Sequence, residues 1–191
     1  MAIFLILAPY GAYTFLMLVT SAIASVFAAS AICLVTIAID VARGRSVKIL
    51  AAGSAILFAA IGLYLAMIDQ KLGTLGVKLS VDLGIFVISL GSMLVRRPFT
   101  LQYAVEAVPA ETAAMPGFLH ANYVITGAWT VAALLMAAAN VVLLYVPGLP
   151  LWSGLAVAFA ARNCAIYFTK WYPEYRQTKY ATMAGALPTP R

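Results

Sequence analysis

Residues 1–39 read MAIFLILAPYGAYTFLMLVTSAIASVFAASAICLVTIAI and contain no charged side chain. A helix needs about 20 apolar residues to cross the hydrocarbon core of a bilayer, so this stretch is nearly twice as long as one crossing requires. The small polar pair Thr20 and Ser21 lies at its middle, where a turn is favoured. The stretch therefore predicts two helices, about residues 3–19 and 21–39, joined by a tight turn.

Uncharged stretches recur along the rest of the chain. Hydrophobic residues make up 64% of the sequence and charged residues only 9%, the reverse of what a water-soluble domain needs. Further spans are predicted at about residues 49–68, 79–95, 121–146 and 151–168. The fold class is therefore all-α, a polytopic transmembrane helical bundle with six spans, or with five if residues 1–39 form one long tilted helix or a helix plus an interfacial segment.

The connections between the predicted spans are short. They leave no room for a separate soluble domain, so residues 1–182 are expected to form a single transmembrane helical domain. Residues 183–191 contain Gly185, Pro188 and Pro190, and we expect them to form a disordered cytoplasmic tail.

The cations are concentrated on alternate connections. One set of segments carries Arg43, Arg45, Lys48, Arg96, Arg97, Lys170, Arg176, Lys179 and Arg191, whereas the other carries Lys71 and Lys78 with Asp69 and Asp82. Because loops rich in Lys and Arg stay in the cytoplasm, both termini are predicted to be cytoplasmic. The same side would attract anionic lipid head groups. Nucleic acid is not an expected partner, because the cations are spread over separate loops.

Polar residues at membrane depth are costly and draw attention to function. Arg162 lies near the middle of the predicted span 151–168. Two interpretations are open: it snorkels toward the cytoplasmic head groups, or it faces the bundle interior and pairs with an acid or an anionic head group. Asp82 is expected to pair with Lys78, one helical turn earlier. Asn140 is expected to form a hydrogen bond between helices, with a role in a polar cavity as the alternative.

The connection at residues 96–120 is the predicted surface for a partner or lipid contact. Apolar residues recur in it at helical spacing, as in a short helix that lies in the membrane interface. The residues predicted to make this contact are Arg96, Arg97, Phe99, Tyr103 and Glu106. We expect Arg97 and Glu106 to hold the segment against the bundle and Arg96 to meet a lipid phosphate.

His120 is the only histidine and lies beside Asn122, near the start of a predicted span. One histidine argues against a bis-histidine haem or a His-Glu-x-x-His metal set. A single imidazole can still hold a chlorophyll-type pigment, or act as a base with Glu106 or Glu111. No nucleophile, phosphate-binding loop or spaced carboxylate pair accompanies it. The sequence therefore predicts no catalytic residues, no metal site and no cofactor.

Several motifs resemble a known family. They are Arg96-Arg97-Pro98 at the end of a span, Pro116-x-Phe118 before Asn122, Trp129 and Asn140 along the next span, and Phe168-Thr169-Lys170-Trp171 at the exit of the last. Their organisation resembles bacterial intracellular septation protein A, and the similarity extends over most of the chain. The resemblance implies a multi-pass protein of the bacterial inner membrane that is linked to cell division and envelope synthesis through protein contacts.

Three classes of function follow from these observations. The favoured one is a non-enzymatic scaffold or accessory subunit whose partners are membrane lipids and other membrane proteins, or further copies of this chain. The second is a small transporter or channel whose pathway uses Asp82, Asn140 and Arg162. The third is a cofactor- or pigment-binding subunit centred on His120.

Overall fold

The computed structural model describes residues 2–68 and 72–185, with side chains for residues 8–68 and 72–179. Helices account for nearly all of this part of the chain, and strands are absent from it. The helices are α1 (Ala2–Val19), α2 (Ala22–Ala42), α3 (Ile49–Met67), α4 (Thr74–Leu94), α5 (Phe99–Val105), α6 (Ala110–Ala113), α7 (Pro116–Tyr145) and α8 (Leu151–Gly185).

Five of these helices are long and apolar enough to cross a membrane: α2, α3, α4, α7 and α8. The chain is therefore an all-α, multi-pass membrane protein, which confirms the predicted fold class. The additional helix α1 has 18 residues, close to the length of one crossing. Its described side chains, from Ala8 onward, are largely apolar.

The division of the first uncharged stretch into two helices is confirmed. Residues Thr20 and Ser21 separate α1 from α2. Ser21 is the N-cap of α2, and its side chain accepts a hydrogen bond from the backbone N–H of Ala24 at 3.2 Å. A cap of this kind satisfies a donor that the first helical turn leaves without a partner, which explains why the chain breaks at this point.

Charged connections meet at one end of the bundle, which we call the basic end. Lys48 precedes α3, and its Nζ lies 3.1 Å from Glu106, which follows α5. The backbone N–H of Ile49 donates to Gln102 Oε1 at 2.7 Å. The connections that carry Arg43 and Arg45 and those that carry Arg96 and Arg97 therefore lie on the same side, as the charge pattern predicts. Asp69, Lys71 and Arg191, which belong to that pattern, lie outside the described residues.

Hydrogen bonds between side chains link α4 and α5 to α7. The hydroxyls of Ser89 and Thr130 lie 2.7 Å apart, as do those of Thr100 and Thr126. Small hydroxyl residues let helices approach closely and supply bonds that lipid does not offer. The centre of the bundle is thereby held by α4 and α7.

The first and last helices lie at the margins of this arrangement. The main packing partner of α1 is α2, and that of α8 is α7. The space between α1 and α8 is consequently less tightly packed than the centre of the bundle. A cavity with several polar lining residues lies there.

Helix α8 is longer than the predicted span 151–168. Its 35 residues correspond to about 50 Å, well beyond the hydrocarbon thickness. Its distal part is attached to the start of α7, because Arg176 Nη1 donates to the carbonyl of Gly117 at 2.7 Å. The predicted tail, residues 183–191, overlaps the last three residues of α8, and residues 186–191 lie outside the described part of the chain.

The arrangement of the two ends yields a labelling prediction. In a variant with Cys33→Ala and Cys164→Ala, a single cysteine is introduced by Ser46→Cys at the basic end or by Thr74→Cys at the opposite end. Both positions are exposed, and both are expected to tolerate a residue of similar size. A membrane-impermeant maleimide should label the Thr74→Cys variant from outside the cell and the Ser46→Cys variant only in inverted vesicles.

Labelling of both variants from the same side would contradict the two-ended arrangement. A pattern with the sides exchanged would contradict the predicted orientation alone.

Candidate functional site

A cavity of about 320 Å³ lies between α1, α4, α7 and α8. This volume is at the lower end of the range for ligand pockets. The polar lining comes from all four helices and consists of Tyr10, Tyr13, Thr14, Lys78, Asp82, Asn140 and Arg162. The other lining residues are apolar. Side chains far apart in the sequence thus meet in a single site.

A hydrogen bond between α4 and α7 joins two residues of the cavity lining. Asn140 Nδ2 donates to Asp82 Oδ2 at 2.8 Å, and the Asn140 side chain is buried. A carboxylate at membrane depth needs such a donor because lipid supplies none. The predicted role of Asn140 as a hydrogen-bonding residue between helices is confirmed, and the same side chain also lines the cavity.

Arg162 approaches the same carboxylate from α8. It lines the cavity together with Asp82. Of the two interpretations of this residue, the structure favours the one in which it faces the bundle interior. Lys78, the partner expected from helical spacing, also lines the cavity, but no ion pair joins it to Asp82 in the described part of the chain.

Two tyrosines on one face of α1 complete the polar lining. Their rings pack against Phe58 of α3, with centroids 5.8 Å away for Tyr10 and 5.5 Å away for Tyr13. The Tyr10 hydroxyl shares a hydrogen bond with Ser54 Oγ. The Tyr13 side chain is 5% exposed, and within the described residues its hydroxyl is the one buried side-chain nitrogen or oxygen with no hydrogen-bond partner. Such a group loses its bond to water without a replacement, so it is available to a ligand.

The two tyrosines were missed by sequence reasoning. Residues three apart share a face of a helix, so Tyr10 and Tyr13 were recognisable as neighbours. In an uncharged helix, however, no hydrophobic pattern shows which face turns toward the bundle and which toward lipid.

A second polar cluster closes the basic end. Lys48 is 3% exposed, and its Nζ lies 2.8 Å from Asp40 Oδ2 and 3.1 Å from Glu106 Oε2. Arg45 lies 3.7 Å from Asp40 and 3.9 Å from Glu106. The Lys48 ammonium also lies 5.4 Å from the centre of the Tyr103 ring, a cation–π distance. Burial raises the pKa of the Tyr103 hydroxyl above its usual value. Because these contacts join three segments, the cluster holds α5 against α2 and α3.

The predicted contact surface at residues 96–120 is only partly exposed. Arg96 and Arg97 are exposed, and Arg96 has a left-handed backbone (φ 59°) where the chain leaves α4. Phe99 is 5% exposed, and its backbone N–H donates to Ser92 Oγ at 3.1 Å, so its side chain belongs to the bundle and not to the surface. Glu106, expected to hold the segment against the bundle, contacts Lys48 and Arg45, because the end of α5 lies beside the connection between α2 and α3. Arg97, for which the same role was expected, is exposed.

His120 and Asn122 lie in different environments, one exposed and one buried. His120 is exposed near the start of α7, whereas Asn122 is 3% exposed and donates to the backbone carbonyl of Phe118 at 2.9 Å. Neither residue lines the cavity. Among the side chains that the structure describes, no group of three or more His, Cys, Asp or Glu is placed to hold a metal ion.

No protein-family model, no curated protein and no solved structure matches this chain. The resemblance to intracellular septation protein A stays a prediction from the sequence. The geometry of the cavity is the observation that bears most directly on function.

The cluster at the basic end yields a stability prediction. Lys48→Ala leaves Asp40 and Glu106 without their nearest cation, and we expect it to lower the free energy of unfolding by about 1–3 kcal/mol. The matched control is Lys170→Ala, which removes the same charge from an exposed position on α8. Reversible unfolding of the purified protein in detergent measures both. Equal losses in the two variants would show that the cluster contributes nothing to stability.

Proposed function

We propose that the protein binds a small ligand within the membrane and acts as a small transporter or channel. The observation that carries this proposal is the convergence of Asp82, Asn140 and Arg162, from three different helices, on one cavity. A charged side chain near the bilayer centre costs about 2.5–3.5 kcal/mol on insertion scales. Asp82 and Arg162 both line the cavity, so placing them there costs free energy. A ligand-binding role accounts for that cost better than helix packing does.

The contacts within the site support a binding role over a purely structural one. A structural ion pair would bring the guanidinium into contact with the carboxylate. Over the described part of the chain, no ion pair joins Arg162 to an acidic side chain, while the hydrogen bond to Asp82 Oδ2 comes from Asn140. The guanidinium donors and the Tyr13 hydroxyl thus remain for a ligand.

Polar groups continue from the cavity toward the basic end, which supports a route across the membrane. Tyr10 lines the cavity and is hydrogen-bonded to Ser54, which is 1% exposed. Ser54 lies in the second turn of α3, which begins directly after Lys48. The series links the cavity to the Lys48 cluster. In this arrangement the ion pairs of Lys48 with Asp40 and Glu106 close the route at the basic end.

The topology and cellular location belong to the same proposal. We take α1 as a sixth span, both termini as cytoplasmic and the bacterial inner membrane as the location. The length of α1, the shared side of the basic connections and the resemblance to a bacterial family support these assignments.

The scaffold function and its link to cell division stay predictions. The exposed Arg96 and Arg97 are suited to anionic head groups or an acidic partner. The pigment-binding alternative has less support, because His120 is exposed and the cavity lies elsewhere.

Transport can be tested by solid-supported-membrane electrophysiology on proteoliposomes. Concentration jumps of acetate, inorganic phosphate and octanoate are the probes. We expect a saturable current with at least one of them. Arg162→Gln and Asp82→Asn should each reduce the current about tenfold or more, because each removes a charged group from the site.

Lys170→Gln is the matched control and should retain the wild-type current, since Lys170 is exposed on α8 beyond the cavity. Size-exclusion profiles show which variants are folded. Absence of a current with all three probes, or equal currents in the wild type and the Arg162→Gln variant, would refute the proposed transport.

A further inference from the structure

The charge of the cavity favours an anionic ligand. Lys78 and Arg162 are the cations that line it, and Asp82 is its one lining acid. Whether or not Asp82 carries a proton, the formal charge of the lining is positive. An unbalanced positive charge in a medium of low polarity is costly, and a bound anion would balance it. Guanidinium groups match the geometry of carboxylates and phosphates in particular.

The Tyr13 hydroxyl adds a donor to this cationic region. It is buried, lines the cavity and has no hydrogen-bond partner among the described residues. A phenolic hydroxyl can donate to an anionic oxygen, so the three groups together form an anion-binding set that involves α1, α4 and α8.

The apolar wall of the cavity is also part of the lipid-facing surface. Leu151, Leu155 and Phe159 of α8 line the cavity, yet they are 64%, 44% and 73% exposed. Side chains that border a cavity and are also largely exposed mark a place where the cavity opens. Because this part of α8 belongs to a predicted span, the opening beside Leu155 and Phe159 faces acyl chains.

The packing of the helices agrees with a lateral opening. Helix α1 packs mainly on α2 and α8 mainly on α7, so the seam between α1 and α8 is bordered by helices that are fixed on their other sides. Exposed apolar residues continue along the α1 side of the bundle, where Phe15 is 64% and Leu18 is 72% exposed.

We infer that the ligand is an amphipathic anion that reaches the cavity from the bilayer through the seam between α1 and α8. Its carboxylate or phosphate head group binds Arg162, Lys78 and the Tyr13 hydroxyl, and its hydrocarbon chain lies along Leu155 and Phe159. This inference rests on the proposed function and goes beyond it by naming the class of ligand and the side from which it arrives.

Binding of tritiated palmitate to the full chain in phosphatidylcholine nanodiscs tests the inference. We expect saturable binding that lysophosphatidic acid displaces. Hexadecanol has the same chain length without a charge, and acetate has the carboxylate without a chain; neither should compete. Arg162→Gln and Lys78→Gln should each weaken palmitate binding about tenfold or more, whereas Lys170→Gln should bind as the wild type does.

A second pair of variants leaves the polar lining of the cavity unchanged. Phe159→Ala truncates a side chain that is 73% exposed, so we expect the fold to be retained and palmitate binding to weaken about threefold. Tyr167→Ala removes another exposed aromatic ring from α8, one that does not line the cavity, and it should leave binding unchanged. Equal effects of the two variants would overturn the assignment of the chain to this wall.

The competitors separate failure of this inference from failure of the proposed function. If acetate or inorganic phosphate competes as well as a long-chain anion, the ligand comes from water, so this inference is wrong while the binding site stands. If hexadecanol competes equally, binding is merely apolar and the anion assignment is wrong. If neither palmitate nor tritiated acetate nor radiolabelled phosphate binds, both the inference and the proposed binding function are wrong.

Discussion

The hydrocarbon core of a bilayer offers no hydrogen-bond partners, and the structure depends on that constraint throughout. Backbone groups are satisfied within helices, which is why this chain is helical over nearly all of its described length. Polar side chains at depth must find partners on other helices. Ser89 with Thr130 and Asp82 with Asn140 do so between α4 and α7, so the same constraint that forces the helices also joins them.

The two ends of the polar series differ in how fully their charges are balanced. At the basic end, Lys48 is held between Asp40 and Glu106 at contact distance, which joins the connections to one another. In the cavity, Arg162 and Asp82 line the same volume, and no ion-pair contact joins these two described side chains. The Lys48 cluster, whose charges are balanced, is suited to stabilising one end of the bundle. The cavity, whose charges are not balanced, is suited to binding a ligand.

The sequence and the structure agree on which residues are unusual but not on how they are combined. Asp82, Asn140 and Arg162 stand out because polar groups are rare in apolar spans. Their convergence was not predictable, since it depends on the rotation of α4, α7 and α8 about their own axes. For the same reason Phe99, which resembles a surface aromatic in the sequence, is buried in the bundle.

The sequence by itself determined that this is an all-α membrane protein, where its first uncharged stretch divides, and which connections share a charged side. These properties follow from amino-acid composition, from the pattern of charges and from local preferences for helix or turn, all of which can be identified in the sequence. Only the tertiary structure decided that Lys48 and Glu106 meet, that Arg162 turns inward, and that Tyr13 is buried without a partner. Such contacts depend on helix rotation and packing, and a uniformly apolar helix carries no periodic signal for either.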